Sequence, residues 1–122
     1  MNEYIKELGE EIVSFEDVQE VPEEQYFPPK TFSACLSKVM RYVPNGIDKS
    51  KMTSIDKRGV TKLIGYLTTH RFIHQINSYT SQSDRDLFES SFVRYTFDKP
   101  DLTQEEIDQY IVLSSEVIIA AS

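Results

Sequence analysis

The sequence predicts an all-α domain of about four helices behind an acidic N-terminal arm. Three observations carry that expectation. Apolar residues beyond position 30 recur at helical spacings of three and four. Capping and stop residues bracket those runs. Two proline clusters, Val21-Pro22-Glu23-Glu24 and Tyr26-Phe27-Pro28-Pro29, separate them from a front segment of different character, because tandem prolines block a helix and favour extended backbone. The chain therefore divides into an arm, 1–29, and a helical domain, 30–122.

Within the arm, Ile5, Leu8, Ile12 and Phe15 form an apolar stripe at helical spacing, weakened by Gly9 and surrounded by acids. It reads either as a disordered solubilising tail or as a peptide that docks on a partner through the stripe. The first domain helix follows Thr31 as N-cap, with Phe32, Cys35, Leu36, Val39, Met40 and Val43 on one face, and stops at Pro44-Asn45-Gly46. After a polar loop, Ile47 to Met52, Thr53 and Asp56 form an acidic capping box for a second helix. Val60, Leu63, Ile64 and Leu67 give its core face. The run continues through Phe72, Ile73 and Ile76 on a rotated stripe, which predicts a bend or break at Thr68-Thr69.

Ser83 is expected to begin a third helix with the stripe Leu87, Phe88, Phe92 and Tyr95, although its end, Phe92 to Phe97, is rich enough in β-formers for a short strand. The fourth helix has the fullest local signals. Thr103 caps it, Glu106 completes the box and Leu102 can staple against Ile107. Ile107, Tyr110, Ile111, Ser114, Val117, Ile118 and Ala121 form its face. Leu113 and Ile119 fall off that stripe, which predicts a homo-oligomer built through a second apolar face.

Charge is sorted along the chain. Residues 1–29 hold nine acids and one base, residues 30–71 nine bases and two acids, and residues 72–122 nine acids and three bases. The net −7 hides blocks of −8, +7 and −6. An acidic arm beside a basic segment points to contact with a polyanion, a charged partner, or arm-to-body pairing. Lys38, Arg41, Lys49, Lys51, Lys57, Arg58 and Lys62 are the candidate nucleic-acid contacts, on a helix–loop–helix whose loop is longer than a helix-turn-helix allows.

Signals for catalysis are missing. The four glycines, at 9, 46, 59 and 65, make no phosphate loop. His70 and His74 share a helix face, but position 71 is Arg rather than the Glu of a zinc-protease pattern, so two surface histidines are expected. Cys35 reads as a small core residue, and the clusters Asp84-Asp86-Glu89 and Glu105-Glu106-Asp108 as acids in the first turns of helices. No metal or cofactor is expected. The single cysteine suits a reducing compartment, the first residues are acidic rather than signal-like, and the longest apolar run is Val117 to Ala121. A cytoplasmic protein (host cytoplasm if viral) with no membrane contact is the expectation.

The stretch Ser83-Asp-Arg-Asp-Leu-Phe-Glu-Ser-Ser-Phe-Val-Arg-Tyr-Thr-Phe-Asp-Lys-Pro-Asp-Leu-Thr-Gln-Glu-Glu-Ile-Asp-Gln-Tyr-Ile111 resembles small accessory proteins of tailed bacteriophages, small terminase subunits being the nearest case. The resemblance implies a small, helical, non-enzymatic oligomer that binds DNA and a motor ATPase during packaging. It transfers no functional residue. This chain also departs from that family, placing an acidic arm where a tight N-terminal helix-turn-helix is common. The function expected is therefore an oligomeric accessory factor engaging DNA and a larger enzyme. The alternative is a regulator or inhibitor whose acidic surfaces compete for a partner's nucleic-acid site.

Overall fold

A computed structural model describes residues 25–121, and every regular element among them is helical. Helix α1 spans Phe32–Tyr42, α2 Ser54–Leu67, α3 His70–Asn77, α4 Gln82–Thr96 and α5 Gln104–Ala121, with one 3-10 turn at Lys49–Lys51. The arm residues Ile5, Leu8, Ile12 and Phe15 lie outside the described residues.

The caps set the boundaries. Thr31 Oγ1 accepts from the Ala34 amide at 3.1 Å, starting α1. Thr53 and Asp56 exchange side-chain and backbone hydrogen bonds at 3.1 and 3.0 Å, the reciprocal box expected of α2. Thr103 and Glu106 do the same for α5 at 3.2 and 2.9 Å. The expected break at Thr68-Thr69 is complete. Thr69 caps a separate α3, so the chain has five helices rather than about four.

Helix α4 differs from its sequence reading in two ways. Its N-cap is Ser81, whose hydroxyl accepts from the Asp84 amide, so the helix begins before Ser83. It then runs unbroken to Thr96, with no strand at Phe92–Phe97, because Thr96 Oγ1 and the Phe97 amide both return to helix carbonyls.

The core lies where the rings of Phe72, Phe88 and Phe92 meet, with Phe72 centred 5.1 Å from Phe88 and 4.7 Å from Phe92. Cys35, Val39, Val60, Leu63, Leu67, Ile76 and Val93 close around them. Helix α5 lies along α4 in the most extensive helix pair and buries Ile107, Ile111, Ser114 and Ile118. Ala121, assigned to that face from spacing, is exposed at the helix end. Gly59 lets α2 approach the chain after α4, since a Cβ there would overlap the Phe97 carbonyl oxygen. Tyr66 adds a second tie. Its hydroxyl donates to the Lys99 carbonyl at 2.6 Å and accepts from the Leu102 amide at 3.1 Å.

Residues 25–29 belong with the body rather than the arm. The Tyr26 amide donates to Asn77 Oδ1 at 2.8 Å, its ring packs edge-on to Phe72, and Pro29 is buried. The clustered prolines do hold this segment out of a helix, yet its aromatic residue completes the core.

Candidate functional site

Glu89 stands in the middle of α4 and is only 3% exposed. It is not a first-turn acid, which corrects its grouping with Asp84 and Asp86. A buried carboxylate is costly unless donors surround it, and three do. Tyr42 Oη donates at 2.5 Å, Lys38 Nζ at 3.1 Å, and Tyr26 Oη donates as well. Burial, reinforced by the Glu89 charge and its hydrogen bonds, pushes both phenols far above their ordinary range, so they remain protonated donors. Burial likewise raises the Cys35 thiol to about 12, leaving it a weak donor toward the Val60 carbonyl rather than a nucleophile.

Arg85, one turn before Glu89, is buried too. Its Nε donates to the Tyr79 carbonyl at 2.8 Å and its Nη2 reaches the Asn77 carbonyl at 3.5 Å. That closes the C-terminal end of α3, where a cation is favoured. Tyr26, Lys38, Arg41, Tyr42, Arg85 and Glu89 together line most of a cleft of about 270 Å³. Most of its polar groups are committed to one another.

The seven basic candidates separate. Lys38 turns inward to Glu89. Arg41 is exposed, with its guanidinium 5.5 Å from the Tyr42 ring centroid. Lys49 and Lys51 are exposed on the 3-10 turn. Lys57, Arg58 and Lys62 fall on the outward side of α2, opposite Val60, Leu63 and Leu67. Arg58 pairs with Asp101 at 2.6 Å, both side chains more than half exposed. Among the described residues Lys57 and Lys62 make no ion pair. Gly65 lies on the same outward side, and a Cβ there would meet nothing within 4 Å.

His70 and His74 are exposed, with ring centroids 6.4 Å apart. No group of three or more His, Cys, Asp or Glu among the described residues could hold a metal ion. No helix among them is long and apolar enough to cross a membrane. On α5, Val112 and Leu113 are exposed, and Ile119 is 73% exposed.

Comparison with protein-family models, curated proteins and solved structures finds no match. The site therefore rests on its own geometry. Sequence reasoning missed Tyr26, Arg85 and Glu89. One signal for two of them was present: Arg85, Glu89, Phe92, Val93 and Thr96 share a single helical stripe, with an Arg and a Glu four apart inside an apolar row.

Proposed function

We propose that this protein is a non-enzymatic binding and assembly factor that engages a nucleic-acid backbone through the outward side of α2. The observation that carries this is the row Lys57, Arg58, Lys62, exposed beside Gly65, with Lys49 and Lys51 on the adjoining turn. A lysine without an acidic partner can release counterions on meeting phosphate. A glycine within a helix costs up to about 1 kcal/mol relative to alanine, and Gly65, exposed in the last turn of α2, has no neighbour in the fold that a Cβ would meet. Close approach of a backbone from outside would use it. The non-enzymatic part rests on the reactive groups being held in structural bonds: Glu89 is surrounded by donors, Arg85 closes α3, and the Cys35 thiol is raised and buried.

The resemblance to small terminase subunits read in the sequence of residues 83–111 suggests the concrete form of this proposal, an oligomeric factor that brings DNA to a larger enzyme. Exposed Val112, Leu113 and Ile119 on α5 supply an apolar side for assembly. The competing role, a regulator that blocks a partner's nucleic-acid site, draws on the acids of 1–24 and 72–122. A mobility-shift titration across salt separates them. The full chain should bind duplex DNA of any sequence, more weakly as salt rises. Lys57→Glu with Arg58→Glu should lower affinity and flatten the salt slope by about 0.9 for each phosphate that is no longer neutralised. An unchanged affinity and slope would overturn the assignment to α2.

A further inference from the structure

Phe32, Leu36 and Met40 lie four apart on α1 and line an open groove of about 490 Å³, with Ser33, Ser37, Arg41 and Lys49. A second hollow continues past the end of α1 through Met40, Pro44, Ile47 and Lys49. The two share Met40 and Lys49, so the hollow extends beyond the roughly 12 Å of helix between Phe32 and Met40, its accessible apolar surface coming mainly from Phe32, Met40 and Pro44. Every charged residue lining the first hollow is basic. Asp48, in the second, is occupied by the Ser50 amide and hydroxyl at 3.0 and 2.7 Å.

We propose that this groove seats the chain's own acidic N-terminal segment, residues 1–24. Three features of the molecule favour that occupant. First, Ile5, Leu8, Ile12 and Phe15 repeat at the spacing of a helix face, and at about 3.6 residues per turn Glu11 and Glu16 fall on either side of it. An apolar stripe flanked by carboxylates matches an apolar groove flanked by Arg41 and Lys49. Second, the segment carries nine acids against Lys6 alone. Third, Arg41 connects the chain's point of entry to the groove. Gln25 and Tyr26 line the cleft of which Arg41 forms part, and Arg41 also lines the groove. The ten residues from Phe15 to Gln25 span up to about 35 Å when extended, several helix radii. Tethering places the segment at an effective concentration near the millimolar range, so a weak intrinsic affinity suffices.

In this assignment Arg41 and Lys49 serve the segment when it is seated, and Lys51, Lys57, Arg58 and Lys62 remain open to phosphate. It stands whether or not α2 binds DNA. The test uses the full chain carrying Glu10→Cys with a nitroxide; the native thiol, Cys35, is buried and resists labelling. At low salt the amides of Ser33, Ser37, Met40 and Arg41 should lose most of their intensity through paramagnetic relaxation. The loss should disappear in Leu8→Asp with Ile12→Asp and in Ser33→Glu with Ser37→Glu. High salt should weaken it. Relaxation absent from α1, or centred on Lys57–Lys62, overturns the proposal. So does relaxation of an isotope-labelled chain only when it is mixed with a spin-labelled one, which would assign the groove to a second copy.

Discussion

Glu89 receives hydroxyls from residues 47 and 63 positions away in sequence, and the ammonium of Lys38 from 51 positions away. Removing the carboxylate strands three polar groups facing one another, so Glu89→Ala should destabilise the fold by about 3–5 kcal/mol, read by chemical denaturation. The raised phenols and thiol add a pH dependence. In the unfolded chain cysteine and tyrosine ionise near their ordinary values, about 8.5 and 10, whereas in the folded chain Cys35 waits until about 12 and Tyr26 and Tyr42 lie higher still. Above about pH 8.5 the folded state therefore holds more protons, and stability must fall as pH rises. Melting temperatures should drop steeply between pH 9 and 11 (roughly, from those reference values), and two of the seven tyrosines should ionise only on unfolding. Ultraviolet titration reads this; all seven ionising in the folded protein would contradict it. Glycines divide at the same scale. Gly59→Ala drives a Cβ into the Phe97 carbonyl and should destabilise, while Gly65→Ala meets open space and should stabilise by up to about 1 kcal/mol. Asp84, Asp86 and Glu89 look alike in sequence because local rules identify helical acids without saying which one turns inward. That choice depends on partners supplied by distant segments.

Elements were more legible than their interiors. Thr31, Thr53 and Thr103 mark three helix starts because a cap is a contact between residues three apart, which sequence displays directly. Helix α4 was harder: Ser81 and Ser83 both offer a hydroxyl to a following acidic turn, and it is the Ser81 hydroxyl that accepts from the Asp84 amide. The divided run between α2 and α3 was visible as a rotation of the apolar stripe, and the Thr68 and Thr69 hydroxyls complete the break by donating to the Gly65 and Tyr66 carbonyls. Helix α5 presents one apolar side to α4 and leaves Val112, Leu113 and Ile119 exposed. Ile119→Asp should leave the circular-dichroism spectrum unchanged and lower the mass seen by light scattering at high concentration. A wild-type chain that stays monomeric there would remove the case for assembly through α5.

For the molecule as a whole, the division between arm and body governs what can be cut away. A chain beginning at Gln25 keeps Tyr26 against Phe72, Asn77 and Glu89 and should melt close to the full-length protein. One beginning at Lys30 loses that aromatic residue and one donor to a buried carboxylate, and should be less stable by at least about 2 kcal/mol. Equal stability of the two would show that residues 25–29 are dispensable. The cleft was illegible in sequence for the same reason this cut matters: two prolines read as a boundary, while the tyrosine ahead of them is part of the core.

The Tyr26 tie also gives the domain a load path. A pull applied at Gln25 meets the hydrogen bonds from Tyr26 to Asn77 and Glu89. Beyond them it passes into α4, which is braced along its length by α5. Breaking that strap would free a few residues of chain without removing any contact among Phe88, Phe92 and the α5 face. Whatever grips the N-terminus thus holds the body through a mechanical fuse seated on one carboxylate.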